Sequence, residues 1–172
     1  LLEEAVAEAK GLDDETAPGT DWSPQISLGM PVLIPDHYVT DLSVRMELYR
    51  RVSGLEDLDA IETFLAELID RFGPVPAEFE NLLDTVAIKR LCLKAGVERV
   101  EAGPKGAIAK FRNDEFENPL GLIEYITSQA GSMKVRPDQT LVYRRSWDKP
   151  RQRLEGVTFF VKRLAEIAAA TS

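Results

Sequence analysis

The sequence of 172 residues contains one cysteine and one histidine, and both shortages exclude classes of protein. Cys92 alone cannot form an intrachain disulfide, so a reducing compartment is the simplest interpretation. It lies in a helical pattern and is predicted to be a small core residue. Cys92 and His37 together cannot supply the four ligands of a structural zinc site. A lone histidine such as His37 is more often a hydrogen-bonded structural residue than a catalytic base.

Long apolar runs and nucleotide-binding motifs are also missing. No run reaches the roughly 18 residues of a membrane span, and the first ten residues carry acids where a signal peptide carries bases. There is no GxxxxGK[ST] phosphate loop and no GxSxG nucleophile motif. We therefore expect no enzymatic activity and no cofactor in this domain. An independent hydrolase stays open as the last of three hypotheses, and it rests only on carboxylates that belong to no motif. The other two hypotheses are given below.

The charge is unevenly distributed along the chain. The formal net charge is -8, yet residues 133–163 hold nine lysines and arginines against three acids. That segment carries +6, so the remainder carries -14. A free acidic surface disfavours nucleic acid and favours basic protein partners. The basic segment, with interleaved Tyr143, Trp147, Phe159 and Phe160, supports an alternative, because basic and aromatic residues together can bind single-stranded nucleic acid.

Helical periodicity is concentrated between residues 40 and 96. Three helices are predicted there, the first from Thr40 or Asp41 to Gly54, the second over 57–72 and the third over 76–96. In the first, the apolar positions that recur at helical spacing are Leu42, Met46, Tyr49 and Val52. In the second, the predicted apolar stripe comprises Leu58, Ile61, Leu65, Leu68 and Phe72.

The patterns outside these helices predict mainly short strands. Residues 25–35 suggest one or two extended pieces, and "VERVEAG" and "AIAKF" flank "GPKG" as in a hairpin. A helix is predicted in "ENPLGLIEYITSQAG", two strands around the turn pair Pro137 and Asp138, and a helix at the end of the chain. The predicted fold class is α+β, with a helical layer packed with a small antiparallel sheet and a closing C-terminal helix.

One stretch, "AELIDRFGPVP", ends the second predicted helix with a cluster of charges. Glu67, Asp70 and Arg71 lie opposite an arc of about 140° that holds the apolar residues, so we expect all three to be exposed. That arc comprises Ile61, Phe64, Leu65, Leu68, Ile69 and Phe72. Spacing alone favours a surface pair between Glu67 and Arg71, with Asp70 contributing nothing. Glu67 and Asp70 lie near the C-terminus of the helix, where the helix dipole makes negative charge unfavourable. The cluster therefore does not stabilise its own helix, and the other interpretation is that it contacts a partner.

The combined motifs resemble a known family. "LIPDHYVTDLSVRMELYRRVSG" followed by "AELIDRFGPVPAEFENLLDTVAIKRLCLKAGV" is similar to the C-terminal domain of the bacterial transcription-repair coupling factors (Mfd). The similarity is dense from Val32 to Val97 and looser to Ala165. By this resemblance, residues 1–24 are the tail of a preceding module and a linker, and residues 25–172 are the C-terminal regulatory domain. The chain starts without methionine in a helical pattern, so we expect a fragment of a longer protein.

The resemblance implies a function that the residues alone do not. The parent would be a large cytoplasmic translocase of duplex DNA, driven by ATP and magnesium in its motor modules. It would remove stalled RNA polymerase and recruit excision repair through UvrA. The C-terminal domain would be a non-catalytic autoinhibitory clamp on an N-terminal UvrB-like module, masking the surface that UvrA needs. The family's Glu-x-x-Asp-Arg contact cluster corresponds to Glu67, Asp70 and Arg71. The alternative is a nucleic-acid-binding domain that uses residues 133–163. Lysines and arginines clustered on the surface would favour this alternative, whereas dispersed lysines and arginines would favour the clamp.

Overall fold

The computed structural model describes residues 22–170, which divide into two compact units. The first unit comprises Trp22 and Pro31–Ala87 of the described residues, and the second comprises residues 23–30 and 88–170. The second unit is therefore discontinuous in sequence. The predicted tail of a preceding module, and most of the predicted linker, lie outside the described residues.

Three helices occupy the sequence between residues 42 and 95, as the periodicity predicts. They are α1 (Leu42–Ser53), α2 (Leu58–Phe72) and α3 (Ala77–Ala95), and the boundary between the units falls within α3. Asp41 caps α1 by accepting a hydrogen bond from the Val44 amide at 3.1 Å. Asp57 caps α2 by accepting one from the Ala60 amide at 2.8 Å. Side-chain acceptors at these positions satisfy amides that have no partner within the helix.

The first unit is built around aromatic and aliphatic side chains from α1, α2 and the first half of α3. Its core residues are Ile34, Val39, Leu48, Tyr49, Val52, Phe64, Leu68, Phe79, Leu82 and Leu83. Phe79 contacts both Phe64 and Tyr38 edge-on, with ring centroids 6.3 and 6.0 Å apart. One polar contact lies inside this core, because the buried Ile34 amide donates to the Tyr49 hydroxyl at 2.9 Å.

The second unit contains a five-stranded sheet. Its strands are β1 (Gln25–Ser27), β2 (Val97–Gly103), β3 (Gly106–Phe111), β4 (Met133–Val135) and β5 (Leu141–Arg144). The spatial order is β1-β2-β3-β5-β4, with β1 parallel to β2 and every other pair antiparallel. The predicted hairpin is therefore confirmed as β2 and β3, and the predicted strands on either side of Pro137 and Asp138 are confirmed as β4 and β5.

Two further helices belong to the second unit, α4 (Pro119–Ser128) and α5 (Pro150–Ala169). The buried face of α5 supplies Leu154, Val157, Phe160, Val161 and Leu164 to a core that also holds Cys92. Gly156 lies against Trp147 so closely that a Cβ at this position would be 2.4 Å from the indole ring. The described residues therefore form an α+β fold with a mostly antiparallel sheet and a closing helix, as the sequence predicts.

Several predicted core positions are wrong. Leu42 and Leu58 were both expected in apolar stripes, but they are 57% and 65% exposed. Both stand at the first residue of their helix, where the stripe has not yet turned towards the core. Ile69 was placed in the buried arc of α2 and is 50% exposed. The buried side of α2 is narrower than the arc of about 140° suggests, and it centres on Phe64 and Leu68.

Candidate functional site

The last two turns of α2 carry the three predicted residues, and the end of the helix is held by Tyr38. Gly73 terminates the helix with φ +88°, a conformation that favours glycine. The Tyr38 hydroxyl donates to the carbonyl oxygens of Gly73 and Leu68, at 2.8 and 3.2 Å. These bonds attach the end of the helix, at Leu68 and Gly73, to the Tyr38 side chain. The charged cluster therefore stands on a helix end whose backbone is fixed.

Glu67 is at the centre of an ion-pair network that joins α1 to α2. Both guanidinium NH groups of Arg51 donate to its carboxylate, with the second bond at 2.8 Å. Arg71 donates to the same carboxylate at 3.3 Å. The hydrogen bonds from Arg51, supported by the one from Arg71, lower the pKa of the Glu67 carboxyl to about 2. Glu67 is thus ionised at neutral pH and shared between two cations.

Both arginine side chains lie over the face of an aromatic ring. The Arg51 guanidinium carbon lies 4.8 Å from the centroid of the Phe64 ring, and that of Arg71 lies 4.8 Å from the centroid of Phe72. A cation over a ring face is attracted by the ring quadrupole, and this contact limits the orientations of a long side chain. The planar guanidinium of Arg51 therefore meets the carboxylate of Glu67 in a two-bond arrangement.

Asp70 takes no part in this network, whose hydrogen bonds join Glu67 to Arg51 and Arg71. Asp70 is exposed, as are Thr63, Ala66 and Ile69 on the same helix. Thr63 and Ala66 are small residues, and Ile69 is a large apolar residue that is 50% exposed. The exposed face combines one apolar side chain, small neighbours and a carboxylate, which is a composition suited to protein contact.

The structure brings Glu67 and Arg71 together and leaves Asp70 apart from them. Asp70 and Arg71 are exposed as predicted, whereas Glu67 is half-buried against Arg51. The predicted pair of Glu67 with Arg71 is present, but its stronger partner, Arg51, was not predicted. Arg51 stands 16 residues earlier, on another helix, so no spacing rule within α2 could reveal it. The only available signal was the pair Arg50 and Arg51 at the end of α1, close to the short connection that leads into α2.

The alternative site, the basic segment 133–163, is largely occupied by contacts within the domain. Arg153 is buried and donates to the backbone carbonyls of Leu28 and Trp147, at 2.9 and 3.1 Å. Arg145 lies over the Tyr143 ring at 4.5 Å, and Arg163 lies 3.7 Å from Glu166.

The aromatic residues of this segment do not form a stacking platform. Tyr143, Trp147 and Phe160 are buried, and only Phe159, at 63%, is well exposed. Stacking of successive bases needs several exposed rings along one groove. The segment therefore lacks a row of exposed rings, although three of its cations, Lys134, Arg136 and Arg144, line one groove of the sheet.

The described residues show neither a metal site nor a membrane span. Within residues 22–170, no group of three or more histidines, cysteines, aspartates or glutamates could hold a metal ion. None of the helices in that range is long and apolar enough to cross a bilayer. Burial raises the pKa of the Cys92 thiol to about 12, so this side chain is not a nucleophile at neutral pH.

Comparison with known proteins gives a consistent set of similarities. The protein-family model of the TRCF domain matches residues 28–122 of this chain. The transcription-repair-coupling factor of Rickettsia conorii is 40% identical over 144 residues, which cover 83% of this chain and 12% of that protein. The corresponding protein of Escherichia coli is 29% identical over 171 residues, covering 99% of this chain and 15% of that protein.

A solved structure has a similar fold. It is the crystal structure of the C-terminal domain of a transcription-repair coupling factor, with a TM-score of 0.74 and 24% sequence identity. The match covers 88% of this chain and 97% of that chain. In length, the present chain corresponds to 12–15% of the two curated relatives described above.

Proposed function

Because the chain belongs to the TRCF domain family, we propose that it is the autoinhibitory C-terminal domain of a transcription-repair coupling factor. In this proposal the domain is non-catalytic and docks on an N-terminal UvrB-like module of the same cytoplasmic protein. Docking masks the surface that UvrA needs. ATP hydrolysis, magnesium binding, duplex DNA translocation and contact with RNA polymerase belong to other modules of the parent protein.

The observation that carries this proposal is the exposed end of α2. A helix end that is capped by Gly73 and held by Tyr38 presents its residues from a fixed backbone. Residues fixed before binding lose less entropy when a partner docks, so the same contacts give a higher affinity. The family resemblance assigns the contact cluster to Glu67, Asp70 and Arg71, and all three lie in the last two turns of α2.

The geometry separates the three residues into two roles. Glu67 is already neutralised by Arg51 and Arg71, so it offers little charge to a partner and instead positions the two guanidinium groups. Asp70 lies on the exposed face, beside Ile69. We therefore assign Asp70, Arg71 and Ile69 to direct contact and Glu67 to positioning. The partner surface would present a cation to Asp70 and a carboxylate or carbonyl to Arg71.

The test compares variants in the parent protein, where the domain and the N-terminal module are joined. Asp70→Ala is expected to raise UvrA binding at least tenfold, because removing one partner of a desolvated charge pair weakens an interface strongly. Glu62→Ala is the matched control: this residue is an exposed acid on the same helix, two turns away from Asp70. Changing Glu67, Asp70 and Arg71 together to alanine should release the clamp completely.

A second pair of measurements separates contact from positioning. Glu67→Gln keeps the side-chain shape and should weaken docking less than Asp70→Asn does. Binding in trans between the isolated domain and the N-terminal module would be measured for both, beside a melting curve. If UvrA binding stays at the parental level when the triple variant melts like the parent, the assignment of these residues to the clamp is wrong.

A further inference from the structure

The outer face of the sheet carries a basic surface that the proposed function does not use. The register places Glu101, Ile108, Val142 and Lys134 in one row across β2, β3, β5 and β4. Side chains in such a row point to the same side of the sheet. The opposite face packs on the core through Val100, Ala107, Ala109, Leu141 and Tyr143.

A shallow groove of 540 Å³ lies over this row. Its lining contains four cations, Lys105, Lys134, Arg136 and Arg144, and one carboxylate, Glu101. The chain as a whole has a formal net charge of -8, so this groove is opposite in sign to the average of the protein. Like charges held close together on a protein attract an oppositely charged partner and repel a similar one.

The floor of the groove is apolar. Ile108 and Val142 lie side by side in the central row, and Gly103 and Gly106 contribute no side chains beside them. Val142 is only 8% exposed, so the partly exposed Ile108 is the apolar side chain of this pair that a partner can reach. The aliphatic stems of the neighbouring lysine and arginine side chains extend this apolar floor towards the charged rim. No tyrosine, tryptophan or phenylalanine ring lies in the row, since Tyr143 points to the core. The groove therefore has an apolar centre and a basic rim without a stacking surface.

Gly106 keeps the groove open at the hairpin end. It has φ +126°, and a Cβ at this position would lie 2.0 Å from the Tyr143 carbonyl oxygen. A side chain here would collide with the backbone of the adjacent strand, so the groove lining has no side chain at this position. Lys105, in the turn that precedes Gly106, then stands at the edge of the groove as an exposed cation.

We propose that this groove, over Ile108 and Val142 with Lys134 and Arg144 at its rim, binds an extended acidic peptide segment of another protein module that also carries branched apolar side chains. Apolar side chains of the segment would cover the floor, while its carboxylates would face the cations. Phosphate-rich nucleic acid fits less well, because it offers no branched apolar groups for the floor and finds no rings for its bases. Arg136 contributes less than the other cations, since Asp138 lies close to it.

The experiment uses the 172-residue chain and three defined probes. The first is a synthetic peptide of alternating glutamate and leucine, the second an all-glutamate peptide of equal length, and the third duplex DNA of about 20 base pairs. Binding is followed by fluorescence anisotropy at two salt concentrations, and the binding surface is mapped from amide chemical shifts. The alternating peptide should bind most tightly, weaken with salt, and shift the amides of β3, β4 and β5.

Charge variants test the rim, and one apolar variant tests the floor. Lys134→Glu combined with Arg144→Glu should weaken the alternating peptide at least tenfold. Lys94→Glu combined with Lys162→Glu makes the same change of charge at exposed positions on helices and should weaken it less than threefold. Ile108→Thr keeps a β-branched residue and should remove the preference for the alternating peptide over the all-glutamate one. Melting curves confirm that each variant is folded.

Three results would overturn the proposal. The first is that neither peptide shifts the amides of the outer sheet face at millimolar concentration. The second is that both charge variants weaken the alternating peptide equally, which would show attraction by overall charge. The third is that duplex DNA binds more tightly than the peptide, with a steep salt dependence, through Lys134 and Arg144, which would instead identify a nucleic-acid surface.

Discussion

Replacing Tyr49 by phenylalanine should destabilise the first unit through one buried hydrogen bond. The Tyr49 side chain is 3% exposed, and its hydroxyl accepts a 2.9 Å hydrogen bond from the Ile34 amide, which is fully buried. Phenylalanine fills the same space except for the oxygen atom. The amide would then lose its acceptor in a region that water does not reach.

The magnitude follows from the cost of a buried donor without a partner. That cost is roughly 1–3 kcal/mol. For a chain of this length, about 1 kcal/mol corresponds to a shift of roughly 2–4 °C in melting temperature. Tyr49→Phe should therefore lower the melting temperature by roughly 2–12 °C. The matched control is Tyr38→Phe, which removes a donor from two partly buried carbonyls and should cost about 0.5–1.5 kcal/mol.

The assay combines urea denaturation with amide hydrogen exchange. Tyr49→Phe should lower the urea midpoint without changing the slope of the transition, because the surface exposed on unfolding is nearly the same. The Ile34 amide should exchange faster relative to its neighbours. The reasoning is refuted if Tyr49→Phe is no more destabilising than Tyr38→Phe while the Ile34 amide keeps its parental exchange rate.

Three further predictions concern other parts of the chain. The Glu67 carboxyl should titrate by NMR at about pH 2, and Arg51→Gln should move its pKa up towards the ordinary 4.5. Because the pKa of the Glu67 carboxyl is lowered in the folded state, the stabilisation by this ion pair is present above about pH 4.5 and is lost as the pH falls towards 2. The free energies of unfolding of Glu67→Gln and the parent should therefore converge near pH 2. Gly106→Ala should lower the urea midpoint more than Gly131→Ala, since both have positive φ but only the first meets a backbone carbonyl at 2.0 Å; equal midpoints would show that the close contact relaxes without cost. Cys92 should react with a thiol reagent at pH 8 only after urea unfolding, because burial raises its pKa to about 12, and a fast reaction of the folded chain would contradict this.

The order and type of the elements could be predicted because local patterns decide them. Apolar residues at helical spacing, capped by Asp41 and Asp57, are sufficient to define α1 and α2. Short alternating stretches on either side of "GPKG" define β2 and β3. The sequence could not give the spatial order of the strands, in which β1 pairs with β2 although Gln25 and Arg99 are far apart in the chain.

The candidate site was predictable in its location and only partly in its contacts. A helical wheel places Glu67 and Asp70 away from the core, but it carries no information about which neighbouring helix covers one edge. Arg51 reaches Glu67 from another helix, α1, and Ile69 is 50% exposed although the wheel places it in the buried arc. Tertiary packing thus separates residues that the wheel treats as equivalent.

The discontinuous second unit has a consequence for the order of events during synthesis. The Leu28 carbonyl accepts its hydrogen bond from Arg153, a residue 125 positions later in the chain. At about 5–20 residues per second, roughly 6–25 s separate the synthesis of these two partners. All residues of the first unit up to Ala87 are made before Arg99, the β2 partner of Gln25, is added. The ribosome therefore delivers a complete helical unit while β1, one of the earliest segments of the second unit to be made, still lacks its neighbouring strand and the arginine that holds its end.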